Sequence, residues 1–243
     1  MSTGTSEAGH SLAEVLISTA LGGVILAGVF DLYTSSSNSI LGQTNAVQMQ
    51  TEAKAAMEFM VKELKLMNGP PTIGVNSDSI TFLRVKDSGY SSAAPGSNTV
   101  STLWDGSKAW TPNAYAPNTD GAFSVKIITG SGVGESHPLK ANTTTTLTLA
   151  DTDTWATIPD TSSLYFIYVN KTFMLSPGNR LEYQVEAGSP RLLATNINAL
   201  TFTATGTDSY AVDITLVAQT GTKDPRTGKY SYYTLTQTAR RRN

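Results

Sequence analysis

Residues 9–33 read GHSLAEVLISTALGGVILAGVFDLY, and the interpretation of the whole chain depends on this stretch. From Val15 to Phe30 it carries no charge, and its only hydroxyl side chains are those of Ser18 and Thr19. A single acid, Glu14, stands just before this apolar run. Because a carboxylate at the edge of hydrocarbon is costly, we expect Glu14 to have a specific role.

The apolar run has about the length of a membrane-spanning helix. Val15 to Phe30 alone falls short of the roughly 20 residues that a bilayer core requires. The longer count from Leu12 to Tyr33 reaches that length and places Glu14 and Asp31 near the two interfaces. The stretch therefore predicts a helix that inserts into a membrane.

Two general interpretations of this stretch meet difficulties. A secretory signal peptide should begin with a basic region, but the first nine residues contain no Lys or Arg and include Glu7. Ala27-Gly28-Val29 is also a poor cleavage site for a signal peptidase. A plain transmembrane anchor should carry Lys or Arg on its cytoplasmic flank, but the first such residue in the chain is Lys54.

A third interpretation rests on the residues GHSLAEVLI from Gly9 to Ile17, which resemble the signature of type IV prepilins. The resemblance implies that a membrane prepilin peptidase cuts after Gly9 and that the new first residue, His10, is N-methylated. Glu14 then stands at the fifth mature position, which is the most diagnostic position of the family. Gly23 stands where pilins commonly have a glycine that loosens the helix.

The resemblance also implies a role for Glu14 in filament assembly. Cleavage would create an α-amine at His10, and the amine of one subunit could meet Glu14 of its neighbour in a filament. The alternative is that Glu14 lies in the headgroup region without a function. Gly22, Gly23 and Gly28 either let the helix bend or unwind, or allow close helix packing.

A helical period continues beyond the apolar run. Small and apolar residues recur at three- and four-residue spacing and predict a buried stripe, with Gln50 as its one polar member: Ala46, Ala53, Met57, Met60, Leu64 and Met67. Asn68-Gly69-Pro70-Pro71 then ends the helix. We expect a leader at 1–9 and a helix at 10–67. Its membrane and assembly part would be 10–33, and its amphipathic part 34–67.

Beyond Pro71 the sequence favours a β-rich head at 68–243. We predict strands at these segments: Ser79–Val85, Ser124–Thr129, Thr144–Ala150, Leu164–Val169, Thr172–Leu175, Arg180–Glu186, Ala199–Thr205, Tyr210–Ala218 and Tyr230–Thr238. Polar turns between short strands indicate antiparallel pairing. The fold class expected is α+β, with a long N-terminal helix packed on an antiparallel sheet.

The segment 86–121 is a long polar stretch with scattered aromatic residues. Loops of this length are usually functional or disordered. Trp104 and Trp110 are the candidates for a recognition surface, and the alternative is a packed structural insertion.

The layout of the C-terminal part resembles that of PilW-type minor pilins and GspJ-type minor pseudopilins. Its elements are residues 196–202, a strand around Tyr210-Ala211-Val212, and a terminal hairpin that ends in Arg240-Arg241-Arg242. The helical residues 52–68 resemble the same group. This resemblance implies a type IV pilin-like fold.

A search for catalytic or metal-binding patterns finds little. The chain of 243 residues has no cysteine and two histidines, His10 and His137, neither within a known catalytic spacing. Asp151, Asp153 and Asp160 could offer oxygen ligands to Ca²⁺, although the full loop pattern is missing and a solvated loop is the alternative. We expect no enzyme activity and no cofactor.

Charge also limits the partners. The net charge of −2 and the charged content of 15% provide no field that would attract nucleic acid. The one basic cluster, Arg240 to Arg242, fits a solvated strand end or a contact with phosphates.

These observations lead us to expect a structural filament subunit, specifically a minor pilin that primes or tips assembly. Its partners would be other pilin subunits, the prepilin peptidase, the inner membrane and an assembly platform. It would reside in the inner membrane with its head outside the cytoplasm, and later in a cell-surface or periplasmic filament. The alternatives are a type II secretion pseudopilin and a membrane-anchored binding or adhesion module.

Overall fold

A computed structural model describes residues 11–92, 98–117, 122–186, 188–205 and 210–241. One α-helix, α1, spans Leu12–Leu64, and the strands of the described residues follow it. They are β1 (Thr72–Ile73), β2 (Ser79–Tyr90), β3 (Thr102–Trp104), β4 (Ser124–Thr129), β5 (Ser136–Asn142), β6 (Thr146–Leu149), β7 (Leu164–Ser176), β8 (Arg180–Val185), β9 (Arg191–Ala194), β10 (Ile197–Ala204), β11 (Ala211–Gln219) and β12 (Tyr232–Arg240).

Helix α1 is 53 residues long, which corresponds to about 80 Å at 1.5 Å per residue. After Leu64 one tighter turn follows, in which the N–H groups of Leu66 and Met67 reach back to the carbonyls of Glu63 and Leu64. Gly69 then adopts a φ of +99°, a conformation that favours glycine, and Pro70 and Pro71 prevent the helix from resuming.

The chain divides into two compact units. The described part of the first unit comprises residues 11–48 and the loop Thr220–Ser231 between β11 and β12. Within this unit Asn45 donates a hydrogen bond of 2.9 Å from its side-chain amide to the hydroxyl of Thr222. The loop is therefore attached to the middle part of the helix.

The second unit comprises the rest of α1 and both sheets. Its larger sheet has nine strands, with β1-β2-β7-β4-β5-β6-β3 as the main order and β8 and β9 branching from β7. A separate three-stranded sheet has the order β10-β11-β12. All of the pairings are antiparallel.

Strand β7 is the centre of the larger sheet. Along one side it pairs with β2 from Leu164 to Met174. On the other side its first residues pair with β4 and its last residues, from Lys171, pair with β8. The two halves of one strand thus belong to two branches of the sheet.

The core of the second unit has two clusters that follow these branches. The first cluster packs the buried face of α1 against β2, the second half of β7, β8 and the three-stranded sheet; Met57, Met60 and Leu64 lie here. The second cluster contains residues of β3, β4, β5 and β6 with Tyr165 and Ile167 from the first half of β7.

The structure confirms the α+β class, with one long N-terminal apolar helix and an antiparallel β domain. Within the predicted Met and Ala stripe, Ala53, Met57, Met60, Leu64 and Met67 are buried and Ala46 is half-buried. The strands predicted at Leu164–Val169 and Thr172–Leu175 form the single strand β7, because no turn interrupts them. Strands β1, β3, β5 and β9 were not among the strands predicted from the sequence.

Candidate functional site: the apolar helix and the polar clusters of the head

The N-terminal part of α1 is apolar and exposed in the described chain. Its most apolar 18-residue window has a mean hydropathy of 2.1, and none of that window is buried. Leu12, Val24 and Phe30 have 81%, 72% and 69% of their surface exposed. An exposed apolar surface of this size is typical of a site that contacts a membrane or another protein. By length and composition α1 could cross a membrane.

Glu14 takes part in the start of this helix. Its carboxylate accepts a hydrogen bond of 3.0 Å from the backbone N–H of Ser11, and its own N–H donates to the Ser11 hydroxyl at 3.3 Å. This reciprocal arrangement is a capping box, which satisfies N–H groups that the first turn of a helix leaves unpaired. Glu14 therefore has a local role in the isolated chain. Gly9 and His10, the expected processing residues, lie outside the described residues.

Gly22, Gly23 and Gly28 lie within the exposed segment. The α-helix continues through all three. A Cβ atom added at any of them would meet no atom within 4 Å. In the described chain these glycines are thus free to approach another helix closely.

The two candidate recognition residues, Trp104 and Trp110, occupy different environments. Trp104 is half-buried and packs over Gly106, where an added Cβ would approach the indole to 2.8 Å. Trp110 is only 8% exposed and belongs to the second core cluster. Trp110 is therefore packed inside the head, as the alternative of a packed structural insertion describes, and a recognition role for this segment stays a prediction.

Trp110 is held there by a polar cluster around Asp87. The Asp87 carboxylate accepts hydrogen bonds from the Trp110 indole N–H at 2.6 Å and from the Lys108 ammonium at 2.9 Å. Burial alone would raise the pKa of Asp87, but the hydrogen bonds from Lys108 and Trp110 outweigh it and lower that pKa. Burial and the nearby Asp87 raise the pKa of Tyr115 to about 12.

A second buried pair lies beside this cluster. The Tyr165 hydroxyl donates a hydrogen bond of 2.6 Å to the carboxylate of Asp105, which is fully buried. Burial and this carboxylate raise the pKa of Tyr165. An added Cβ at Gly89 would come within 2.7 Å of the Tyr165 hydroxyl oxygen, so no side chain fits between these groups. The hydroxyl and the carboxylate are hydrogen-bonded to each other, which indicates that this pair has a structural role.

His137 is placed between two carboxylates. Its Nε2 is 3.4 Å from Glu135 and its Nδ1 is 3.5 Å from Asp153, and its ring packs edge-on against Trp155. Glu135 also accepts backbone hydrogen bonds from Ala156 and Thr157. Burial would raise the pKa of Glu135, but these two backbone bonds lower it. These contacts attach the loop that precedes β7 to the residues around Glu135 and His137.

The acids considered for Ca²⁺ are separated by their contacts. Asp151 pairs with Lys140 at 2.5 Å, Asp153 faces His137, and Asp160 accepts hydrogen bonds from Ser131 and Ser162. The pKa of Asp160 is lowered by these hydrogen bonds. In the part of the chain that the structure describes, no group of three His, Cys, Asp or Glu residues is placed to hold a metal ion.

The basic cluster at the C-terminus is partly described. Arg240 ends β12, and the Arg241 guanidinium lies 5.0 Å from the centre of the Tyr210 ring. This distance is typical of a cation–π contact. Arg242 lies outside the described residues.

One buried ionic cluster was not expected from the sequence. Glu63 of α1 accepts hydrogen bonds from Lys171 of β7 at 2.6 Å and from Arg84 of β2 at 2.9 Å. Burial lowers the pKa of Lys171, against the opposing effect of Glu63. The only signal in the sequence was an acid on the amphipathic half of the helix, and its partners lie too far along the chain for a spacing rule to find them.

In comparisons with known proteins, no family profile, no curated protein and no solved structure matches this chain.

Proposed function

We propose that the chain is a structural subunit of a type IV pilus or a related filament, made as a membrane prepilin and cleaved after Gly9. One observation carries the proposal. In the sequence, the prepilin-like residues Gly9 to Ile17 overlap the start of α1, and the apolar side chains of the N-terminal part of this helix are exposed. A helix of this kind can lie first in a membrane and then against the helices of neighbouring subunits.

The contacts of the head support a structural role. The polar clusters around Asp87, Asp105 and Glu63 are paired internally and bind the strands and α1 together. Their arrangement stabilises the head.

The finer assignment is a minor subunit that primes or tips a filament. The large head, which contains both sheets, would crowd a long filament if every subunit carried it. A type II secretion pseudopilin would share the same processing and the same kind of helix. This alternative therefore differs from the minor pilin only in the secretion system that assembles the filament.

The test is mass spectrometry of the N-terminus after expression with and without a prepilin peptidase. We expect a mature chain that begins at methylated His10 only when the peptidase is present, and a Gly9→Val variant should remain uncut. An intact N-terminus in both strains, or a cut near Ala27, would contradict the proposal.

Glu14 allows a sharper test, because its capping role and its charge can be separated. Glutamine can replace glutamate in a capping box, whereas alanine cannot. We expect Glu14→Gln and Glu14→Ala both to be cleaved and both to be lost from filaments, because the assembly role requires the charge. Recovery of Glu14→Gln in filaments at the wild-type level would show that only the capping contact matters.

A further inference from the structure

The loop Thr220–Ser231, here called the basic loop, is an exposed surface of the first unit in addition to the apolar part of α1. It contains three cations, Lys223, Arg226 and Lys229, and one acid, Asp224, so its net charge is +2 from 3 − 1. All three cations are exposed. No ion pair involves any of them within the described ranges.

The single acid of the basic loop is used to shape it. The Asp224 carboxylate accepts hydrogen bonds from the backbone N–H groups of Arg226 at 2.7 Å and Thr227 at 3.3 Å. The backbone of Asp224 exchanges further hydrogen bonds with Gly228 and Lys229, and Gly228 adopts a φ of +66°. The loop is therefore a formed turn whose carboxylate faces its own backbone, while its cations remain on the outside.

The basic loop lies against the helix close to the apolar segment. Together they line a cleft of about 310 Å³, in which Leu41, Gly42 and Asn45 face residues of the loop that include Thr222 and Pro225. Leu41 is eight residues beyond Tyr33, or about 12 Å along the helix axis. Among described residues 11–48 of the helix, the only charged side chains are those of Glu14 and Asp31.

This placement has a simple consequence if the apolar segment enters a bilayer. The headgroup layer extends about 5–8 Å beyond the hydrocarbon on each side. The level of Leu41 is then about 4–7 Å above the headgroups, which is within the Debye length of about 8 Å at physiological ionic strength. Lys and Arg side chains are long enough to bridge that gap, and the exposed ring of Tyr230 is of a type enriched at membrane interfaces.

We propose that the basic loop is a membrane-contact surface that binds the headgroups of anionic phospholipids beside the inserted helix. The proposal rests on the proposed function only in requiring that the helix enters a membrane. The charge of the loop selects the lipid, because exposed cations without a carboxylate partner gain most from an anionic surface. The contact would orient the helix in the bilayer before assembly.

The experiment uses the full chain in vesicles of phosphatidylcholine alone or mixed with phosphatidylglycerol. Because the chain has no cysteine, Thr227→Cys can carry one fluorescent label in the basic loop, and Thr152→Cys serves as the labelled control on the head. A quencher attached to lipid headgroups reports contact with the surface. Resistance to alkaline extraction reports insertion of the helix independently.

We expect quenching of the loop label in anionic vesicles, little quenching in neutral vesicles, and loss of the contact in high salt. Each neutralised loop cation should lower the ratio of bound to free loop about fivefold. The triple variant Lys223→Gln/Arg226→Gln/Lys229→Gln should therefore abolish the contact. The matched triple variant Lys54→Gln/Lys62→Gln/Lys65→Gln, which removes the same charge from the C-terminal part of α1 and the turn after it, should keep the contact.

Several outcomes would overturn the proposal. If the chain is extracted by alkali, both the inserted helix and the lipid contact are wrong. If the chain resists extraction but the loop label is quenched equally in neutral and anionic vesicles, or in neither, only the lipid contact is wrong. Self-quenching of the loop label that rises with the protein-to-lipid ratio, in vesicles without the lipid quencher, would instead identify a second copy of the chain as the partner.

Discussion

Two carboxylates of the head, those of Asp87 and Asp105, accept hydrogen bonds from side chains of the second core cluster and its surroundings. Asp87 accepts hydrogen bonds from the Trp110 indole and the Lys108 ammonium, and Asp105 accepts one from the Tyr165 hydroxyl. Each carboxylate offers several acceptor positions, which lets one acid bind more than one donor. These acids explain how the long polar segment after β2 is held against the sheet.

The lowered pKa of Asp87 predicts a dependence of stability on pH. Its ordinary value is 3.8, and the folded protein holds it lower, so Asp87 stabilises the fold above about pH 4 and loses that effect as the pH falls through the folded pKa. We expect Asp87→Asn to flatten the fall in the free energy of unfolding as the pH drops below about 4. Urea unfolding at a series of pH values measures this slope.

The control for this experiment is Asp151→Asn, since the Asp151 side chain is 77% exposed and pairs only with Lys140 at the surface. That variant should retain the wild-type slope. An identical slope in wild type and Asp87→Asn would show that the cluster around Asp87 does not contribute to acid unfolding.

Among the elements, α1 has two different surroundings along its length. Its N-terminal part presents apolar side chains to the outside, and its last four turns bury Met57, Met60 and Leu64 against the sheets. The burial of the second part follows the three- and four-residue spacing of the sequence. Glu63 adds an ionic attachment to β2 and β7 on the same stretch.

Two leucines at the end of α1 should differ strongly in their contribution to stability. Leu64 is fully buried, whereas Leu66 is 44% exposed. We expect Leu64→Ala to lower the free energy of unfolding by about 2–5 kcal/mol, because it leaves a cavity in the first core cluster. Leu66→Ala should cost less than about 1 kcal/mol. Similar losses in urea unfolding of the two variants would contradict the packing of α1.

Removal of the Glu63 carboxylate charge should also destabilise the contact between the helix and the sheet. Glu63→Gln leaves Lys171 buried without its counter-ion, and we expect a loss of about 3 kcal/mol in the free energy of unfolding. The exposed Glu58→Gln on the same helix is the matched control and should change little. Thermal and urea unfolding of both variants measure the difference, and equal stability would exclude an important role for the cluster.

How far the sequence predicts these elements depends on the signal each one carries. The helix and strands such as Ser124–Thr129 were predictable, because their apolar period is regular. Strand β5 contains Pro138 and alternating polar residues, so its own sequence gives little indication of a strand. The cluster of Glu63 with Lys171 was beyond sequence reasoning, since the two residues are 108 positions apart.

For the whole molecule, β7 is the strand on which both core clusters depend. It is paired with β2 on one side and with β4 and β8 on the other. Tyr165 and Ile167 of β7 belong to the second cluster, and Phe173 of β7 belongs to the first. Loss of pairing in β7 would therefore disturb both parts of the head.

This central position predicts a pattern of amide hydrogen exchange. The N–H groups of β7 should exchange most slowly, at rates set by global unfolding, because they open only when both clusters open. Strand β12, an edge of the three-stranded sheet, should exchange faster. Mass-spectrometric exchange on the full chain measures both, and equal protection of β7 and β12 would contradict this hierarchy.

The composition of the first core cluster also determines when the protein can fold during its synthesis. The cluster joins Met49 of α1 to Ala239 of β12, residues from the first and the last quarters of the chain. Since a chain emerges from its N-terminus, the apolar face of α1 has no complete partner until nearly all residues have been made. The first core cluster is therefore completed only at the end of synthesis, and until then the apolar face of α1 would need protection by a chaperone.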